Sequence, residues 1–339
     1  MQVIDDFAAA GAPITHPSLV TVGSFDGVHV GHQRLLQQMK QRTDLLGYNA
    51  VVVTFHPRPQ AVLAPGKPAL DLITPDEKAD LLDQIGVDLA VIMRFSRELA
   101  QWSAARFVAH LVTQLQMREL WVGAGSALGS QRGGDVAALK IMGQETGFEV
   151  RVVDPVLCDG AMVSSTRIRQ LLLDGQIRPV TELLGRYPSL SGEVVHGAQR
   201  GRRIGFPTAN VAVPPQIVLP LNGVYACFAC VAGERVPAVA NIGLRPTFTE
   251  LVRTVEAHLL DFSGNLYGQM LRLEMVECLR SEIRFDGAAA LVAQIAADAT
   301  KAAQLLRREQ VASRCSGIAL RVPGLRLACE PRPESAGGQ

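Results

Sequence analysis

Apolar runs alternate with amphipathic stretches through the first half of the chain. Leu19 to Val22 is a short apolar run, and Leu35, Leu36 and Met39 behind it keep a helical spacing up to a stop at Gly47. Ala50 to Phe55 is a β-branched run of the fully buried strand type, ended by His56-Pro57-Arg58-Pro59, a rigid turn that cannot continue a ladder. Thr74-Pro75-Asp76-Glu77 has an N-cap, a proline at the first helical position and a glutamate three after the cap, so a helix runs from there to Gly86. Strand Val87 to Met93 follows, then a helix capped by Ser103 with Phe107, Val108, Leu111, Val112 and Leu115 on its apolar face. Leu120-Trp121-Val122 begins another strand, Asp135 to Thr146 reads as a helix stopped at Gly147, and Val150 to Val153 reads as a strand. The alternation predicts an α/β domain with a doubly wound parallel sheet and ligands at the C-terminal edge of its strands.

The texture changes after Arg178 to Pro188, where Pro179, Gly185 and Pro188 close a short helical piece, Val180 to Leu184. Ser191 to His196, Gly223 to Val231, Val236 to Ala240, Thr254 to Leu260 and Met270 to Leu279 are short runs broken by Gly, Pro and Asn, the pattern of a small antiparallel β-barrel. Gly287 to Leu306, rich in Ala and Leu, is a helix able to pack on that barrel. Val311 to Gln339 lacks a period and reads as a loosely held tail. The predicted domains are 1–185 and 186–310, with the tail over 311–339.

A chain of 339 residues, 48% hydrophobic and 19% charged, has room for two or three globular domains. Its net charge of +1 gives no support for a nucleic-acid or membrane-surface binder. No apolar run reaches the roughly 20 residues that span a bilayer. Met1 to Ala12 lacks the basic and apolar regions of a signal peptide, so a soluble cytoplasmic protein is expected. The sequence leaves oligomeric state open, a homo-oligomer included. Cys227 and Cys230 lie in the strand-like run Gly223 to Val231, which points them to opposite faces, and with no second pair they read as small apolar fillers.

Candidate chemistry begins at Val22-Gly23-Ser24-Phe25-Asp26-Gly27-Val28-His29-Val30-Gly31-His32, a strand end, a tight turn and a helix start. Backbone N–H groups at a helix N-terminus attract anions, and two imidazoles there supply donors to charge developing on a phosphorus in flight. As bare turn residues, His29 and His32 would leave the glycines and the strand-to-helix setting unexplained. Ser164-Ser165-Thr166-Arg167-Ile168-Arg169 precedes Leu171-Leu172-Leu173 and a stop at Gly175. Its hydroxyls cap a helix and its arginines suit a triphosphate, although Arg167 and Arg169 do not share a helical face. By itself this segment also reads as a plain capped surface helix. The third stretch, Gly197 to Asn210, carries Gly197, Gly201 and Gly205 with Arg200, Arg202 and Arg203, then Thr208 and Asn210. Glycines at that density expose N–H groups for wrapping phosphates, and a hydroxyl and an amide are neutral oxygens that Mg²⁺ accepts. No Gly-Lys-Ser/Thr closes the loop, so it is not a Walker A motif.

The first two stretches resemble the His-x-Gly-His and Ser-Ser-Thr-x-x-Arg motifs of the nucleotidyltransferase superfamily, which transfers adenylyl groups from ATP to a phosphate. That resemblance implies catalytic roles for His29, His32, Ser165, Thr166 and Arg169, and ATP contacts at Gly23, Phe25, Gly31 and Arg167. The third resembles the Gly-Phe-Pro-Thr-Ala-Asn signature of riboflavin kinases, and the similarity continues through Asn222 to Tyr225, Ala240 to Thr247, Val255 to Phe262, Leu266 to Gly268 and Arg280 to Phe285. It implies Glu256 as base on the ribityl 5′-hydroxyl, a residue that otherwise reads as an exposed strand position. It further implies phosphate contacts at Gly197, Gly201, Arg202, Gly205 and Pro207, Mg²⁺ ligands at Thr208 and Asn210, and a flavin contact at Arg280, while the first domain's resemblance implies flavin contacts at Phe55 and Pro57.

In motif order the chain is similar, from about residue 15 to about residue 305, to the prokaryotic bifunctional riboflavin kinase/FAD synthetase family. The implied reactions convert riboflavin and ATP to FMN and ADP, then FMN and ATP to FAD and pyrophosphate, with Mg²⁺ as cofactor. One loop departs from that family. Where relatives read Gly-x-Asp/Asn-Phe-x-Phe/Leu-Gly, this chain has Gly123-Ala124-Gly125-Ser126-Ala127-Leu128-Gly129, and Met162 stands at a position that is often basic. Weakened adenylyl transfer is therefore expected, with a monofunctional riboflavin kinase as the alternative.

Overall fold

The computed structural model describes residues 1–5, 16–64, 66, 69–197, 200–246 and 251–316, and the chain divides into two compact units, Met1–Val163 and Ser164–Gln339. In chain order the first unit holds β1 (Gln2–Asp5), β2 (Ser18–Val22), α1 (Val30–Leu46), β3 (Asn49–His56), α2 (Pro59–Leu63), α3 (Pro75–Ile85) and β4 (Leu89–Arg94). It continues with α4 (Ala104–Leu115), β5 (Met117–Gly123), β6 (Ala127–Leu128), β7 (Gly134–Asp135), α5 (Val136–Thr146), β8 (Glu149–Val153), β9 (Leu157–Cys158) and β10 (Ala161–Met162).

Six strands form the expected parallel sheet in the order β1-β4-β3-β2-β5-β8. Every residue of β2 is buried, as are Ala50 to Thr54 of β3, which is why both read as unbroken apolar runs instead of alternating ones. The helix signals hold at atomic detail. Thr74 and Glu77 form both halves of a capping box, and α1, α3 and α5 end on left-handed glycines at 47, 86 and 147. Strand β1 has no counterpart in the hydrophobic pattern. Four residues with two polar ends carry no usable period, and the strand exists because Gln2 to Asp5 pair with Leu89 to Ile92 at the sheet edge.

The second unit contains α6 (Ser165–Leu173), α7 (Ile177–Leu184), β11 (Ser189–Val195), α8 (Arg200–Arg203), β12 (Ala209–Ala212), β13 (Gly223–Val231), β14 (Glu234–Pro246), β15 (Leu251–Leu259), β16 (Met270–Ser281) and α9 (Ala288–Ser316). Its strands close an antiparallel barrel in the order β11-β12-β15-β14-β13-β16. Val224, Ala226 and Phe228 of β13 pack with Ala302 and Leu306 of α9, so the helix seals one side of the barrel.

Two differences from the sequence expectation have local causes. The contact boundary falls after Val163 and not after residue 185, because α6 and α7 are tied to the barrel: the Leu221 N–H donates to the Leu172 carbonyl at 3.0 Å, and Arg178 pairs with Glu277 at 2.5 Å. Helix α9 runs to Ser316, past the expected tail start at 311, since no glycine or proline interrupts the strong helix formers before Gly317. The rest of the expected tail, 317–339, lies outside the described residues, as do Ala198, Gln199 and Thr247. Among the described residues no helix is long and apolar enough to cross a membrane.

Phe228 is fully buried between barrel and helix. Truncation to alanine is expected to cost about 3–5 kcal/mol, read by urea unfolding followed by circular dichroism. A loss below about 1 kcal/mol would contradict this packing.

Candidate active sites

In the first unit the C-terminal ends of the parallel strands carry the candidate groups. Gly23 leaves β2 with its N–H donating to the Val53 carbonyl at 3.0 Å, and a Cβ there would stand 3.1 Å from the ring of Phe25. The turn needs left-handed φ angles at Phe25 (45°), Gly27 (80°) and Val28 (37°), with Phe25 and Val28 held by burial. His29 caps α1: its Nδ1 accepts the His32 backbone N–H at 3.4 Å. That acceptor role places the proton of the neutral ring on Nε2, so Nε2–H is a donor. His32 stacks on His29 at 3.6 Å between ring centroids and leans on Phe25 at 4.9 Å. A Cβ on Gly31 would lie 3.2 Å from the His29 ring, so glycine keeps that ring's edge clear. Burial, the neighbouring His29 and the charge of Lys78 hold the His32 pKa well below the usual imidazole value.

Phe55 and Pro57 sit at the end of β3 on the same sheet edge. Phe55 is half-buried and packs edge-on to Phe95 at 5.5 Å, while Pro57 is exposed. In the departing loop, Ser126 Oγ accepts the Gly123 N–H at 3.1 Å and Arg132 donates to the Gly125 carbonyl at 3.0 Å. A Cβ at Gly125 would meet nothing within 4 Å. Met162, in β10, is exposed.

Ser164 belongs to the second unit and caps α6, its Oγ accepting the Arg167 N–H at 3.3 Å. Ser165 and Thr166 occupy the first turn, with Arg167 and Arg169 half-buried around the buried Ile168. In the same unit the Gly/Arg loop folds tightly. Phe206 N–H donates to the Gly201 carbonyl at 2.9 Å, and a Cβ on Gly201 would stand 2.3 Å from the Phe206 carbonyl oxygen. Gly205 has a φ of 88°, and Arg202 is exposed. Pro207 presents its carbonyl to His258 Nδ1 at 2.8 Å. A Cβ on Gly197 would lie 2.3 Å from the Asn210 amide, so glycine lets this loop lie on that side chain.

The barrel register assembles the kinase candidates. Asn210 of β12, Glu256 of β15 and Asn241 of β14 are direct cross-strand neighbours. Val255 and Ala257 are buried, so alternation turns Glu256 and its row to the outer face, where Thr208 Oγ1 comes within 3.5 Å of the carboxylate. The hydroxyl, amide and carboxylate oxygens of Thr208, Asn210 and Glu256 are hard donors of the kind a Mg²⁺ ion takes. Asn241 joins this row unforeseen, although an asparagine followed by a β-branched residue, as in Asn210-Val211 and Asn241-Ile242, offered a signal. Arg280 is not a free flavin ligand: its Nε and Nη2 donate to Asp298 Oδ2 of α9 at 2.9 and 2.8 Å, and Gln294 holds the other oxygen at 2.9 Å. Cys227 is buried and Cys230 half-buried, and burial pushes both thiols up, as expected of fillers.

Residues 12–167 match the family model described as FAD synthetase, and residues 184–306 the one described as riboflavin kinase. A relative from Escherichia coli (strain K12), named bifunctional riboflavin kinase/FMN adenylyltransferase, is 39% identical over 282 residues, covering 83% of this chain and 90% of its own. The chain belongs to the bifunctional riboflavin kinase/FMN adenylyltransferase family. A relative of the same name from Bacillus subtilis (strain 168) is 34% identical over 305 residues, 85% of this chain and 96% of its own. A crystal structure from Streptococcus pneumoniae described as a macrolide-efflux protein is similar at a TM-score of 0.82 and 30% identity, covering 88% of this chain and 97% of that one.

The lowered His32 pKa has a sign that can be checked. Below about pH 6.5 the unfolded chain takes up a proton that the folded site resists, so the first unit loses stability as pH falls. Both tryptophans, Trp102 and Trp121, lie in that unit and report its unfolding. Between pH 7 and 5.5, His32→Phe should show a smaller loss of stability than the wild type.

Proposed function

We infer that this protein makes FMN and then FAD, phosphorylating riboflavin with ATP in the barrel and adenylylating FMN in the parallel-sheet unit. The observation that carries the inference is the presence of both family matches on one chain.

In the kinase reaction Glu256 takes the proton of the ribityl 5′-hydroxyl while that oxygen bonds to the γ-phosphorus and the bond to ADP breaks. Thr208 and Asn210 would hold Mg²⁺, which when bound would neutralise charge on the transferring phosphoryl. Gly197, Gly201 and Gly205 let the backbone of the loop approach the ATP phosphates, Pro207 orients its end, and Arg202 adds charge. Asp298 fixes the Arg280 guanidinium so that it meets the flavin in one orientation.

In adenylyl transfer a phosphate oxygen of FMN attacks the α-phosphorus of ATP and pyrophosphate departs. His29 Nε2–H and the neutral His32 ring donate to the charge that develops, with the N–H groups at the start of α1 beside them. Gly23, Phe25 and Gly31 shape the turn around the phosphates. The motif resemblance gives Ser165, Thr166, Arg167 and Arg169 a triphosphate-binding role and Phe55 and Pro57 a flavin-binding one. A second reading, a kinase whose adenylyltransferase is silent, is favoured by the missing side chain at Gly125.

Incubation of the purified protein with FMN, ATP and Mg²⁺ should yield FAD and pyrophosphate, and that product rules out the second reading. The double variant His29→Ala, His32→Ala should lose FAD formation by about 10²-fold or more and keep FMN formation. Glu256→Gln should lose FMN formation to a similar extent while still binding riboflavin. For Asp298→Asn, which leaves Arg280 less firmly held, the KM for riboflavin should rise about tenfold with FAD formation from FMN unchanged. Equal effects on both activities in folded protein would contradict two separate sites.

A further inference from the structure

A set of buried charges lies behind the histidine turn, on residues to which the motifs assign no role. Lys78 of α3 is buried, and its Nζ donates to the Ser24 carbonyl at 2.8 Å and to Thr54 Oγ1 at 3.2 Å. Thr54 Oγ1 itself donates to the Ser24 carbonyl at 3.0 Å, so turn, strand β3 and helix α3 meet at one oxygen. Asp26, also buried, accepts the Leu72 N–H at 2.9 Å and lies 3.8 Å from Arg58 Nε. Arg58 in turn pairs with Asp71 and donates to the Leu70 carbonyl at 2.6 Å. Two cations and two carboxylates thus interleave between the turn that carries His29 and His32 and the β3 end that carries Phe55 and Pro57.

We propose that Lys78 is a positioning residue for adenylyl transfer: its ammonium pins the Ser24 carbonyl against Thr54 and thereby sets the turn that presents the two histidines. A lysine is a costly way to hold a carbonyl inside a protein, because burial disfavours its charged form. Here the neighbouring Asp26 and Asp71 oppose that effect, while Arg58 adds to it. The charge has a second consequence. His32 is faced by His29 from its own turn and by Lys78 from α3, and both oppose its protonation. Lys78 therefore fixes the geometry of the turn and helps keep His32 neutral.

The proposal rests on the histidine pair performing adenylyl transfer, and the test separates the two ideas. Lys78→Met, Lys78→Arg and Thr54→Val are made in the full chain, with folding of the first unit followed by tryptophan fluorescence. In Lys78→Met the kcat for FAD formation should fall about tenfold or more, with KM for ATP and FMN changed by less than about threefold and FMN formation unchanged. The acid limb of its pH–rate profile should move to higher pH, because His32 protonates more readily without the neighbouring charge. Lys78→Arg keeps the charge and should keep the acid limb in place. Thr54→Val, which removes one partner of the ammonium and is nearly isosteric, should lower kcat several-fold and carries the geometric half of the proposal if Lys78→Met does not fold. A folded Lys78→Met with wild-type kcat, or with an unmoved acid limb, overturns the proposal, as does a wild-type kcat in Thr54→Val. If the double histidine variant keeps FAD formation, the site reading itself fails. If that variant loses FAD formation and Lys78→Met does not, only the role of Lys78 fails.

Discussion

Complete burial of the central strands is the constraint on which the first unit depends. A strand buried on both faces has its backbone satisfied by its neighbours and its side chains committed to packing, so polar chemistry is displaced to where the strand ends. Val22 and Val53 are interior residues, and within two or three positions of each the chain turns to glycine, histidine or proline. The N–H groups at the start of α1 complete this arrangement, since a helix N-terminus at the sheet edge attracts an anion.

The barrel meets the same requirement differently. Its interior is filled by alternate residues such as Val255, Ala257, Tyr225 and Ala240, and the residues between them face the other way, toward solvent or the closing helix. Register then decides which outward residues become neighbours. Asn210, Glu256 and Asn241 are far apart in sequence but adjacent across β12, β15 and β14. Gly197 lies against this row because it approaches the Asn210 side chain more closely than any Cβ allows, and Gly201 does the same to the Phe206 carbonyl within its own turn.

Both sites are also held from behind by buried charge. Lys78 ties the histidine turn to Thr54, and Asp298 ties Arg280 to the closing helix. Each pairs a charge with several donors or acceptors, the condition under which an interior ion is tolerated. Flexible residues with three or more rotatable bonds are thereby confined to one orientation before a substrate binds, which is the physical content of preorganisation at such sites.

The sequence by itself determined the class of both units and most of their chemistry. Periodicity marked the parallel sheet and the barrel strands, capping residues marked the helix ends at Thr74, Gly86 and Gly147, and the short motifs marked His29, His32, Thr208 and Asn210. These signals are local, since they depend on residues within a few positions of one another. Strand β1 and strand β12 escaped detection because each is four residues long and exists through its partner. The end of α9 escaped because propensity continued beyond the last apolar period. Lys78 gave one local hint, a lysine four residues before Leu82 on the buried face of α3, but its partners Ser24 and Thr54 lie 54 and 24 residues away. Asn241 beside Glu256 and Asp298 beside Arg280 are likewise products of register and helix docking. Only the tertiary structure decides such contacts, because they form when distant elements bury a common surface, and no spacing along the chain records that event.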